Sequence, residues 1–267
     1  MSERTRRQHH VPQFYLRHFT SDGTHLFAFN KDDKRSFSSS TKGVGQDRDF
    51  YNICEKLDDN YVDPLIIDKS ITNLEGTLSQ WFSEALESLE QSGTITEDQR
   101  YQLSLYVAFQ YFRTKEFRAL SVETVEKLAE ADMSILLQQM GIDVPPESFE
   151  ATFDREKASM LQASRLFDLP TMAEAACGLG SHIWVFGENT TGQPFYTSDN
   201  PIASRPHSGI HGILARGIEL AFPLSSNRIL VMFDRRSFKE KESLEMTTSN
   251  FSEEEAEDYN TLQVKSS

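Results

Sequence analysis

Hydrophobic positions change their period along the chain. In THLFAFNKD, residues 24 to 32, apolar side chains alternate, Leu26 and Ala28 against Phe27 and Phe29, before the polar run Asn30, Lys31, Asp32, Asp33. That pattern predicts a strand and a hairpin turn, with KRSFSSSTKG as the returning strand or its loop. DRDFYNICEK, residues 47 to 56, is a further short strand candidate. From Asp68 the period lengthens: Ile71, Leu74, Leu78, Trp81, Phe82, Ala85, Leu86 and Leu89 recur at three and four, the spacing of one helix face. Gly93 ends this helix, and Thr96 with Glu97, Asp98 and Gln99 has the form of a capping box opening another. The second helix carries Leu103, Val107, Tyr111 and Phe112. It is expected to run or re-form through Leu137 until Gly141, Pro145 and Pro146 close it. A further helix is expected over residues 147 to 165 and a shorter one, TMAEAAC, after Pro170.

After Gly180, SHIWVFGEN, QPFYTSD, IELAFPLS and RILVMFD predict four strands, with ENTTGQ as a hairpin loop. From Phe251 to Gln263 a last helix begins with Ser252 as its N-cap; whether the chain ends naturally soon after is left open. No repeat or linker divides these elements. The expectation is a single α+β domain over residues 1–267: an N-terminal motif at 8–20, strands within 24–55, helices within 68–177, strands within 181–234, and an acidic helix start at 252–263. The helical middle would pack on a mostly antiparallel sheet formed by the N- and C-terminal strands together.

Composition narrows the class. With 38% hydrophobic and 25% charged residues the chain reads as globular, and no run approaches the roughly 18 apolar residues of a membrane span. The start MSERTRRQHH lacks the apolar core of a secretory signal. Cys54 and Cys177 belong to no Cys-x-x-Cys pattern, so neither a zinc site nor a disulfide framework is indicated, and a reducing cytoplasm is the expected location. Twenty-seven basic against 41 acidic residues leave a net charge of −14, which argues against broad coating of nucleic acid but leaves room for a local basic cleft. Arg4, Arg6, Arg7 and Arg17 make the first 19 residues net positive, whereas SEEEAED, residues 252 to 258, reads as a solvated helix start.

Polar residues set among core-forming neighbours are the candidates for chemistry. In HHVPQFYLRHF, residues 9 to 19, Val11 precedes Pro12 and is pushed toward extended backbone, and Pro12 suits the first position of a short helix. His9 and His10 therefore sit on extended chain, where adjacent side chains point to opposite sides: one inward, functional histidine and one outward is the economical picture. The plain alternative is a buried histidine bonded to a backbone carbonyl. In SDNP, Asp199 is read as a metal ligand or general base and Asn200 as orienting substrate or water, beside the plain reading as a turn. On SLYVAFQYFRTKEFR, Tyr106, Gln110, Arg113 and Phe117 share a helix face. Arg113 needs either a carboxylate within the fold, at Glu75, Asp49 or Asp199, or an anionic ligand, for which it would be a phosphate or carboxylate clamp; Gln110 is placed with it among the substrate contacts. Glu75 interrupts an apolar face and joins the same candidate centre; Tyr15 is placed with the substrate-binding residues. His207 and His211 lie in a glycine-flanked loop with no assigned ligand role. Phosphate-binding glycine loops, nucleophile elbows and His-Glu-x-x-His are absent from the sequence.

HHVPQFYLRHF, DFY at 49 to 51, Glu75 in a helix, AFQYFR at 108 to 113, SDNPI at 198 to 202 and FPLS at 222 to 225, in this order, resemble a mostly bacterial family catalogued as domain of unknown function 4238. The resemblance spans about residues 8 to 235 and implies an order of motifs and a fold, with no established reaction. Two function classes stay open. One is a metal-assisted hydrolase, a phosphodiesterase or nuclease acting on a nucleotide or nucleic acid, and by analogy part of a bacterial conflict or defence system. Its catalytic residues would be His9, His10 and Asp199, and its substrate contacts Arg113, Gln110, Asn200 and Tyr15; a divalent Mg or Mn ion would rest on His10, Asp199 and Glu75. The other is a non-catalytic ligand-binding or interaction module in which the same polar set is structural.

Overall fold

Residues 7 to 19 enter the fold as a short strand, β1 (Arg7–His9), an extended link through Val11, and a helical turn, α1 (Gln13–Leu16), continued by a 3-10 turn over Arg17–Phe19. The computed structural model describes residues 7–57, 60–142, 145 and 148–267. Pro12 caps α1 from just outside it, with φ −65° and ψ 143°, one residue earlier than expected. Val11, Tyr15 and Leu16 are buried in the main core, so this N-terminal segment is packed as interior. Leu16→Ala is expected to lower stability by roughly 2–5 kcal/mol in urea unfolding; a loss well under about 1 kcal/mol would show that the segment is not docked.

The helical middle follows the sequence pattern closely. α2 (Ile66–Ser92) ends at Gly93, which adopts the left-handed conformation at φ 73°. α3 (Glu97–Phe112) opens with the expected capping box between Thr96 and Gln99. The helix stops at Arg113 and re-forms as α4 (Lys115–Gln139), because the Thr114 hydroxyl caps the new start by accepting from the Phe117 amide. α5 (Arg155–Leu166) begins later than expected: Asp154 caps it by accepting from the Lys157 amide, and residues 146 and 147 of the expected start lie outside the described residues. α6 (Leu169–Gly180) follows, with Pro170 in its first turn.

The principal sheet has the order β11-β7-β10-β9-β8, built from β7 (Ile183–Asn189), β8 (Ala203–Pro206), β9 (Ile218–Ser225), β10 (Arg228–Phe233) and β11 (Thr247–Phe251). Only β11 is parallel to its neighbour, β7. Both faces are covered, which explains why IWVF and ILVMF are continuous apolar runs rather than alternating ones. Trp184, Phe186, Leu220, Phe222, Leu230 and Met232 face the main core shared with α2, α3 and α6. Ile183, Val185, Ala221, Ile229, Val231 and Phe233 face a second cluster with Ala256 and Leu262 of α7 (Glu253–Ser266), whose start is a capping box of Ser252 and Glu255. The α+β class holds.

The pairing of the sheet differs from expectation. N-terminal strands join one another: β2 (His25–Asn30) with β3 (Arg35–Ser40), β1 with β4 (Gln46–Arg48), and β5 (Lys56–Leu57) with β6 (Asn60–Tyr61). The open edge of β7 is taken by β11, a polar strand with little sequence signal, and the serine-rich hairpin β2–β3 leaves Phe27 and Phe29 exposed instead of extending the sheet. QPFYTSD is not a strand. Its Phe195 amide bonds the Ser226 carbonyl and its Tyr196 amide the Asn260 side chain, so its backbone is satisfied by a loop and a helix. Of DRDFYNICEK, residues 47 and 48 continue β4; Asp49 then turns the chain at φ 53° and buries Phe50 and Tyr51 in irregular backbone. Cys54 and Cys177 are free and exposed, and among the described residues no helix is long and apolar enough to cross a membrane.

Candidate functional site

The N-terminal strand is held by side chains from three directions. Gln8 is buried, its amide donating to Asn52 Oδ1 at 2.9 Å and its oxygen accepting from the Tyr51 amide at 2.6 Å. The Gly45 carbonyl accepts from the His10 and Val11 amides. Gly45 itself has φ 63°, and a Cβ there would meet Val11 Cβ at 3.0 Å, so only glycine admits this approach. From α3, Gln110 Nε2 donates to the His10 carbonyl at 3.0 Å, and Arg113 Nη2 donates to the His9 carbonyl at 2.6 Å. The i, i+3 spacing of Gln110 and Arg113 thus grips two consecutive carbonyls.

Arg113 is fully buried. Its Nη2 also reaches Glu75 Oε1 on α2 at 2.9 Å, the internal carboxylate that the sequence offered as one alternative. Its Nε and Nη1 are buried without a partner, and so are Gln110 Oε1, His9 Nε2, both ring nitrogens of His10, Gln46 Oε1 and the Tyr106 hydroxyl. Glu75 and Arg113 act electrostatically on His9, and Arg113 acts on His10 and Tyr106 as well. His9 is directly opposite Gln46 in the β1–β4 register, and Tyr106 lies one turn before Gln110 on α3. A buried polar group without a partner costs roughly 1–3 kcal/mol, and native interiors contain few, so a concentration of them marks a place built for something other than stability.

Burial sets the charge states. It lowers the pKa of His9, against the opposing pull of Glu75 and of the Thr41 carbonyl to which the ring is bonded, and Arg113 lowers it further. The His9 Nε2 is buried without a partner. His10 packs its ring at 5.3 Å from that of Phe50, and burial brings its pKa down to about 3. Both imidazoles are neutral at pH 7. Asp68, on the first turn of α2, is pushed up by burial and by Glu75, with Arg113 opposing.

His9, His10, Gln110, Glu75 and Arg113 are therefore brought together, and the remaining candidates are not. The Tyr15 hydroxyl bonds the Pro223 carbonyl at 2.7 Å and Thr197 Oγ1 at 2.8 Å while its ring stacks on Phe222; both of its polar functions are consumed, and it anchors rather than binds. Asp199 is exposed and belongs to a second cluster at the start of α4 with Lys115 and Glu116, where burial and Asp199 raise the Glu116 carboxyl. Asn200 is tied there by bonds from its Nδ2 to Glu116 Oε2 and to the Ser266 carbonyl, and Gln263 closes the SDNP turn by bonding Ser198 Oγ and the Asn200 carbonyl. Among the described residues no group of three or more His, Cys, Asp and Glu side chains is placed to hold a metal ion, and Asp199 lies in the second cluster rather than beside His10 and Glu75. His207 pairs with the buried Glu219 at 2.7 Å. Sequence reasoning passed over Gln46, Asp68 and Thr41. Nothing in GVGQDRD or at the head of α2 separates these from ordinary polar positions. Tyr106 was visible on the Gln110 face.

A family description, Protein of unknown function (DUF4238), matches residues 7–267 of the chain. No curated protein and no solved structure matches it.

Proposed function

Because this chain belongs to the DUF4238 family, whose description names no reaction, its function has to be argued from the site, and we propose that it hydrolyses phosphodiesters at the buried centre between β1, α2 and α3. The single observation that carries this reading is the set of unpartnered polar atoms on His9, His10, Gln110 and Arg113, gathered from three elements. Arg113 keeps N–H donors at Nε and Nη1, on two different edges of the guanidinium, each able to donate to a phosphate oxygen. The unpartnered Nε2 of His9, whose ring is kept neutral by burial, takes the proton of an attacking water as the water oxygen bonds phosphorus. The bond to the leaving oxygen then breaks, and His9 hands the proton it took to that oxygen.

A second reading has its own support. Arg113 and Gln110 spend hydrogen bonds on backbone carbonyls, which would suffice to lock the N-terminal strand without any chemistry. Release of nitrophenolate from bis(p-nitrophenyl) phosphate separates the two. His9→Asn is expected to lower kcat by roughly 10²–10⁴ with little change in Tm, since its ring is only partly buried. A wild-type protein that cleaves no diester, with or without added Mg²⁺ or Mn²⁺, or a His9→Asn variant of full activity, would sink the hydrolase reading.

A further inference from the structure

Arg7 and Arg48 are directly opposed across the β1–β4 ribbon, and both are exposed. Like charges placed directly opposite on two strands repel. Arg48 has only a 3.4 Å contact with Asp49, and among the described residues Arg7 has no ion pair. A third guanidinium adjoins them, since Arg155 Nη2 bonds the Arg48 carbonyl. Asp47, the nearest carboxylate on the ribbon, is held by Lys115 at 2.9 Å. A local excess of positive charge on a chain of net charge −14 needs an explanation in function.

The strand period supplies one. Side chains two apart on a strand share a face, so Arg7 stands on the same side of β1 as His9, and Arg48 on the same side of β4 as Gln46. The ribbon therefore presents an arginine pair at its open end and His9 with Gln46 one step inward, and Arg7, Gln46, Asp47 and Arg48 line a surface cleft there. The step is roughly 6.5 Å. That is too far for two phosphates linked directly, as in a pyrophosphate, and suits two phosphodiesters separated by a sugar.

We infer that the Arg7–Arg48 pair binds the phosphate next to the scissile one, and that the substrate is a single-stranded oligonucleotide. This rests on the phosphodiesterase reading, but its test does not depend on turnover. Fluorescence anisotropy with a labelled thymidylate hexamer is expected to show binding by the full chain that weakens as salt rises from about 50 to 200 mM. The double substitution Arg7→Gln, Arg48→Gln should raise Kd at least about tenfold and reduce the salt slope by about 1, the signature of a lost phosphate contact. Its Tm should not fall, because an opposed like-charge pair is removed. Lys127→Gln, which removes one positive charge at an exposed position of α4, should leave Kd unaltered. This pattern would support the inference even if no diester were cleaved, in which case only the hydrolytic reading fails. A hexamer that does not bind, that binds the double variant as well as wild type, or that binds no better than thymidine monophosphate would overturn the arginine site, whatever the catalytic activity.

Discussion

Glu75→Leu is expected to destabilise the protein by about 3 kcal/mol, although the side chain removed is partly exposed. The reason lies in its partner. Arg113 is fully buried, and Glu75 is the only carboxylate that contacts its guanidinium among the described residues. Removing one member of such a pair strands the other charge in the interior, which costs far more than the pair contributes when intact. The figure is set at the low end of the usual range because Asp68 lies close enough to interact with Arg113. Arg113→Leu should cost a similar amount by freeing the His9 carbonyl and loosening β1. The double variant should cost clearly less than the two together, because neither charge is then left alone. Urea unfolding of the four proteins measures the coupling. Additive losses, or a Glu75→Leu penalty below about 1 kcal/mol, would mean that the guanidinium is neutralised by another group.

Stability should also fall steeply on acidification, beginning above the pH at which carboxylates titrate. His10 has its pKa lowered from 6.5 to about 3, and burial likewise lowers those of His9, His18 and His182. The folded forms of these groups are less basic than the unfolded forms, so below pH 6.5 the unfolded chain takes up protons that the folded chain refuses. Their stabilising contribution is complete above the unfolded value and is lost as pH falls toward each folded value, which for His10 extends to about 3. The shift at His10 corresponds to a few kcal/mol over that window, on the order of 1.4 kcal/mol per pH unit. Asp68 and Glu116, raised by burial, act in the opposite sense at lower pH. Urea midpoints at about pH 7.5 and about pH 5.5 should therefore differ, and His10→Leu should flatten the dependence. That variant should also be no less stable than wild type at neutral pH, since it replaces two unpartnered buried nitrogens by an apolar group of similar size. An unchanged pH slope in His10→Leu would show that its ring is solvated in the folded state.

Much of the architecture was legible in the one-dimensional pattern because it depends on neighbours in sequence. Helix faces at three and four, the capping boxes at Thr96 and Ser252 and the left-handed stop at Gly93 are local devices, and each is found where the residues place it. The strands that form the middle of the sheet were equally plain, since burial on both faces writes itself as an unbroken apolar run. The same local logic reached part of the site: Gln110 and Arg113 were singled out because a polar pair at i, i+3 on a core face requires partners, and the partners exist.

Which partners they take was decided only in three dimensions. Strand pairing is a choice among edges, and the edge of β7 goes to β11, a polar TTSNF with little sequence signal, rather than to the N-terminal strands. Asp199 and Tyr15 had the residue types of a functional centre, yet Asp199 sits exposed in the second cluster at the start of α4 and the Tyr15 hydroxyl is taken by the Pro223 carbonyl. Conversely Gln46, Asp68 and Thr41 looked ordinary and reach the centre through cross-strand register and helix packing. By itself the sequence determined the elements, their caps and the residues that had to find buried partners, since propensity and periodicity act over a few residues. The tertiary structure alone decided which distant polar groups meet and which remain unpaired, since burial and hydrogen-bond satisfaction depend on chain segments far apart in number and adjacent in space.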